Sequence, residues 1–147
     1  MSKGFRIYAN IDSEVFKAIK NVDNYNTNAQ KSIRKAMADG TKSVYDAAFS
    51  KAPHGTNNKI RAGLHWSYDE TKNTGVVKSS APHGHLFEFG TNERFVYPTR
   101  RKALKMSDGR YAKGTVYAGR IRPKPFMRPA IEQERPKIES EVKKVLE

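Results

Sequence analysis

Apolar residues recur along this chain with two different periods, and the changes of period divide it into elements. Phe5, Ile7, Ala9 and Ile11 alternate with polar positions, the pattern of a half-buried strand or extended arm. Asp12 and Ser13 then offer a cap, and Val15, Phe16, Ile19 and Val22 fall at helical spacing until the polar run 23–28 breaks it. From Ala29 onward the ladder Ala29, Ile33, Met37, Val44 and Ala48 predicts the longest helix, over 29–51, with Asn28 as its cap and Pro53 as its stop. Lys31, Arg34, Lys35 and Lys42 lie off this ladder and give the helix a basic outer side. Gly40 interrupts it at a cost of about 1 kcal/mol relative to Ala, which a close packing contact explains better than a kink.

The period then shortens to two. Ile60, Ala62, Leu64, Trp66 and Tyr68 alternate without a miss and predict a strand over 60–68. After a turn at 69–75, Val76 and Val77 belong to a second strand over 74–80. A third, over 85–89, would place Leu86 and Glu88 on one face and His85, Phe87 and Phe89 on the other. The connections are too short for crossover helices, so the sheet is expected to be antiparallel. Farther on, Asp108-Gly109 reads as the turn of a hairpin over 103–117. Pro123 and Pro125 force extended backbone, and Ile131, Ile138, Val142 and Val145 mark a C-terminal helix over 129–146, which Pro136 would kink or delay. The expected fold is α+β: one domain over residues 1–147, with an antiparallel sheet packed against the long helix and the C-terminal helix, and a protruding basic hairpin loop. Ala-Pro-His-Gly occurs at 52–55 and again at 81–84, too short a match for a repeat architecture.

Composition changes this picture in one respect. The apolar fraction is 37%, below the usual value of roughly 45–50%, so much of the chain must lie on surface or reach toward partners. No apolar run exceeds three residues, whereas a membrane span needs about 20; a soluble, unprocessed chain without membrane contact is expected. There is no cysteine, hence no disulfide framework or thiolate metal site.

Charge is unevenly placed. Residues 1–93 carry 13 basic and 9 acidic side chains, residues 94–128 carry 11 basic and one acidic, and residues 129–147 carry 4 basic and 5 acidic. The net charge of +13 is therefore concentrated in the middle segment, which should face something acidic.

Three kinds of chemistry were weighed against this background. His83, His85 and Glu88 could chelate a divalent metal, but in a regular strand Glu88 points away from His85 and no second carboxylate is near in sequence. His85 with Glu88 and Arg94 has the residue types of a ribonuclease-like acid–base site, in a spacing that singles nothing out. Neither a phosphate loop nor a nucleophile elbow occurs. The expectation is no enzyme, no cofactor and no metal. The basic segment interleaves Phe95, Tyr97, Tyr111 and Tyr117 with its cations and could track a nucleic-acid backbone, although no helix-turn-helix or zinc finger accompanies it.

Two motifs carry a family resemblance. Phe87-Glu88-Phe89-Gly90-Thr91 is followed, beyond the basic segment, by Arg122-Pro123-Lys124-Pro125-Phe126-Met127-Arg128-Pro129-Ala130. Their order resembles the tail-completion and head–tail joining (neck) family of long-tailed bacteriophages, in which an aromatic-Glu-aromatic-Gly-Thr strand end precedes a Pro-Phe-x-x-Pro-Ala entry into the last helix. Upstream, Ala52-Pro53 and Gly63-Leu64 occupy the places of that family's helix end and strand start, although the turn His54-Gly55-Thr56-Asn57-Asn58 lacks its short Thr-Gly step.

The resemblance implies a structural virion protein, assembled in the cytoplasm of a bacterial host, that forms a homo-oligomeric ring, expected as a hexamer, at the head–tail junction. Its partners would be the tail tube and the head-completion or connector proteins, with genomic DNA passing through the lumen. Arg94, Arg100, Arg101, Lys102, Lys105, Arg110, Arg120 and Arg122 are the residues expected to contact partners or DNA. Glu88 and Phe126 are expected at a subunit interface, Glu88 pairing with an arginine across it. The alternative reading is a basic nucleic-acid-binding accessory protein.

Overall fold

The longest apolar ladder forms the longest element. In the computed structural model, which describes residues 4–7, 13–54 and 58–147, helix α2 spans Thr27–Lys51. Ala9, Ile11 and Asp12 of the expected first strand and cap, and residues 55–57 of the turn after Pro53, lie outside the described residues. The cap of α2 is Asn26 and not Asn28: the Asn26 side chain accepts from the Ala29 N–H at 2.9 Å, satisfying one of the donors a helix start leaves open. Ala52, already extended ahead of Pro53, ends the helix.

Helix α1, Ser13–Lys20, and a 3-10 turn at Val22–Asn24 precede α2, as the first helical spacing predicts. The C-terminal helix α5 spans Met127–Leu146, starting two residues earlier than expected, with Pro136 inside it. Pro136 is exposed, so the carbonyl it leaves without an intrahelical donor lies on the hydrated side.

Helices α2 and α5 run antiparallel along each other. Gly40 faces Ile138 so closely that a Cβ there would stand 2.5 Å from Ile138 Cγ1; the missing side chain lets the helices approach. On one side of this contact Val44, Ala48 and Ala52 pack with Leu64, Phe126, Met127 and Ala130. On the other, Ile33 and Val142 pack with Val15, Ile19 and Val22 of the N-terminal helical segment. Phe126, Ile33, Val15 and Val142 are fully buried, and each such side chain stabilises the fold by roughly 1.5–3 kcal/mol relative to exposure.

The strands differ from expectation in three places. Ile60 and Ala62 belong to a short helical turn, α3 at Lys59–Ala62, so strand β1 covers only Leu64–Asp69. It pairs antiparallel with β2, Thr74–Ser79, in the register Leu64↔Ser79 to Asp69↔Thr74, and this hairpin packs on α2. Phe5 extends its edge, its N–H donating to the Ser79 carbonyl at 3.1 Å. The third expected strand is instead helix α4, Gly84–Phe89, which corrects the placement of Leu86 and Glu88 on one strand face.

The hairpin expected over 103–117 contracts to strands β4, Leu104–Lys105, and β5, Tyr111–Ala112. Residues 116–119 form β6, which pairs with β3, Arg94–Val96, in a separate ladder. The architecture is α+β, with small two-stranded antiparallel sheets, of which the β1–β2 hairpin packs beside the α2–α5 pair.

Candidate functional site

The two motifs that bracket the basic segment meet in space, and Glu88 joins them. Its side chain, 4% exposed, accepts from the N–H groups of Phe126 at 2.8 Å and Met127 at 3.0 Å through Oε2, and of Arg128 at 3.0 Å through Oε1. These are three of the four donors that the start of α5 leaves without intrahelical partners. The fourth position is Pro129, which has no N–H to satisfy. The Phe-x-x-Pro spacing and a single buried carboxylate together complete the helix N-terminus, where negative charge is also favoured by the helix dipole.

Gly90 turns the chain away immediately after α4. Its φ of 72° lies in the region that favours glycine, and a Cβ there would stand 2.8 Å from Pro123 Cδ. The next residue closes a ring of chain: Thr91 N–H donates to the Ile121 carbonyl at 2.9 Å, and Ile121 N–H donates to Thr91 Oγ1 at 2.9 Å. Lys124 N–H then donates to the Phe87 carbonyl at 2.7 Å. Residues 92–120 thus form an excursion whose two ends are fastened side by side.

Within it the β3–β6 ladder is a stem and the β4–β5 turn a tip. Phe95 and Tyr117 face each other across the stem with ring centroids 5.3 Å apart, yet remain 58% and 54% exposed, beside Tyr97 at 64%. In the tip, Asp108 binds Arg110 at 2.6 Å and accepts from its backbone N–H at 3.0 Å. The hydrogen bond from the Arg110 side chain, reinforced by that from its backbone, holds the Asp108 carboxyl below its ordinary pKa.

The excursion gathers most of the residues singled out for partner contact. Arg94, Arg100, Arg101, Lys102, Lys105, Arg110 and Arg120 all lie on it and are exposed, and Arg122 is exposed just beyond its base. Lys113 adds a further exposed cation there. Glu88 and Phe126, expected at a subunit interface, find partners inside the chain: Glu88 holds the start of α5, and Phe126 is fully buried against Phe5 at a ring separation of 6.2 Å.

The sites weighed for catalysis or metal do not converge. His83 and His85 are exposed while Glu88 is buried under α5. Among the described residues no group of three His, Cys, Asp or Glu side chains could hold a metal ion. A cavity of about 350 Å³ between the two apolar clusters is lined chiefly by Val15, Ile19, Val44, Val77, Ile131 and Ile138, and its Arg135 and Glu139 approach each other at 3.9 Å.

Thr91 stands in the sequence motif, but its clasp with Ile121 is not legible there, because the bonds are made mostly by backbone atoms, which leave no residue-type signature. Glu88 is named in the sequence motif, but its role in holding the start of α5 rests on contacts 38 to 40 positions away that no local pattern encodes.

The family model described as "Bacteriophage HK97-gp10, putative tail-component" matches residues 16–90, from α1 through α4 to the turn at Gly90. No curated protein and no solved structure matches the chain.

Proposed function

Because the chain belongs to the HK97-gp10-like family of bacteriophage tail components, we propose that it is a non-catalytic ring subunit of the head–tail junction, joining tail to capsid around a lumen that passes the genome. The observation that carries this reading is the uncovered aromatic stem. A two-stranded ribbon is marginally stable by itself in water, and exposed aromatic surface of this kind marks a protein interface. Phe95, Tyr97 and Tyr117 are left open by the subunit's own fold, and a neighbouring copy or the tail tube would cover them. Arg94 and Arg120, side by side at the base of the stem, supply polar groups at the edge of such a contact. In this reading Glu88 and Phe126 act from inside the subunit by fixing the base from which the stem projects. A ring of six copies is the expected assembly.

The test is genetic and structural. Virions produced without this chain are expected to accumulate as DNA-filled heads and separate tails, and electron microscopy of the complete particle should place a ring of the chain at the junction. Joined, infectious particles in its absence would overturn the proposal. A double change Phe95→Ser/Tyr117→Ser is expected to reproduce the assembly failure while the purified subunit keeps its melting temperature.

A further inference from the structure

We propose that the tip of the excursion, residues 98–114, binds the phosphate backbone of double-stranded DNA without reading its sequence. Six cations, Arg100, Arg101, Lys102, Lys105, Arg110 and Lys113, fall within this short stretch against one acid, Asp108. All six are exposed. Asp108 pairs with Arg110, and among the described residues no carboxylate pairs with the other five.

The chemistry that fits this density is a polyphosphate. Duplex DNA presents one negative charge about every 1.7 Å of its axis, whereas protein surfaces ordinarily intersperse both signs. The tip's shape argues for backbone contact and against base readout. Its paired strands are two residues long, and no helix is presented that could enter a major groove. Gly109 and Gly114 have open space around them, so nearby phosphates can approach the main chain. The stem differs in emphasis: it exposes Phe95, Val96 and Tyr117 beside a single cation of its strands, Arg94, and DNA would not bury Phe95 or Val96. Stem and tip therefore address different partners, one protein and one nucleic acid.

The tip of a second copy is a poor partner for the tip, because each tip brings a net charge of +5 to the contact and like charges oppose it. For the location of the DNA the inference rests on the ring reading, in which the tips would converge on the threaded genome and the polyanion would relieve their repulsion. The binding itself is a property of the single chain, so the two proposals can fail separately.

The experiment is a titration of the full-length chain into a short fluorescently labelled duplex, followed by anisotropy at a series of salt concentrations between about 50 and 200 mM. With five unpaired cations engaged, log K is expected to fall against log salt with a slope of about −4 to −5. Arg100→Gln/Arg101→Gln should reduce that slope by about 2. The charge-matched change Lys31→Gln/Lys35→Gln on the exposed side of α2 should leave it unaltered. All three proteins should melt alike, since none of these side chains is buried.

An equal loss of slope in the α2 variant would overturn the assignment by showing that net charge, not the tip, is responsible. Tighter binding of a polyglutamate peptide than of the duplex at the same salt would also overturn it, assigning the tip to an acidic protein. Sedimentation of the same samples reports self-association independently of the titration.

Discussion

Glu88 and Met127 are joined by a hydrogen bond of 3.0 Å across 39 positions of sequence. The carboxylate that makes it also holds the neighbours of Met127, so one side chain at the end of α4 sets where α5 begins.

Replacing that carboxylate should be costly out of proportion to its size. Glu88→Gln keeps one acceptor oxygen but turns an amide NH2 toward backbone donors, and a loss of about 2 kcal/mol is expected, typical of a charge-assisted bond. Glu88→Ala leaves three buried or half-buried N–H groups without a partner and should cost at least about 3 kcal/mol. Urea unfolding checks both: the midpoint should fall with little change in slope.

Gly40 and Ile138 form a size-matched pair. In Gly40→Ala the gain of about 1 kcal/mol in helix propensity is opposed by an overpacking cost of about 1–3 kcal/mol, and net destabilisation is expected. Combining it with Ile138→Ala should cost less than the sum of the two single changes, because alanine lacks the γ and δ carbons that the new Cβ meets. A double-mutant cycle measures this coupling, and simple additivity would show that the contact does not set the helix spacing.

The excursion should be dispensable for folding. With Thr91 and Ile121 fastened side by side, residues 92–120 can be replaced by a short Gly-Ser link. The shorter loop closes at less entropic cost, so stability is expected to hold or to rise by up to about 2 kcal/mol. Circular dichroism should report unchanged helix content, and a large drop in melting temperature would mean that the excursion packs on the core after all.

Asp108 provides a local probe of the tip. Its carboxyl, bonded by Arg110, should titrate below the ordinary aspartate range in a carboxyl-detected NMR experiment, and Arg110→Gln should move it back up. With a folded-state value that is depressed, the bond contributes above the unfolded-state pKa and is lost as pH falls through the folded-state one. The turn should therefore loosen only in acid. No displacement in the Arg110 variant would show that the ion pair does not form in solution.

Legibility from sequence followed the length of the pattern. Helix α2, where five apolar positions keep one phase, and the β1–β2 hairpin could be read directly, because burial of one face is what their periodicity encodes. The segment 85–89 was misread because five residues cannot separate a strand's alternation from one and a half helical turns. Ile60 and Ala62 were drawn into a strand by a regular alternation, although Asn58, with φ 46°, turns the chain into helix α3 first. The stretch of Asn and Thr at 26–28 offers competing caps of similar chemistry, of which Asn26 makes the bond to Ala29 N–H. The positive charge of the excursion was plain in the composition, but the clasp that isolates it lay beyond any local reading.

The burial of Val142 and of Phe126 has a temporal consequence. Val15 and Ile33 are synthesised long before Val142, yet the apolar cluster they belong to lacks a wall until Val142 has been made. Phe5 likewise waits for Phe126. A polypeptide released before Val142 has been made leaves Val15 and Ile33 without that wall, and such a fragment is expected to fall to the proteases of the cell.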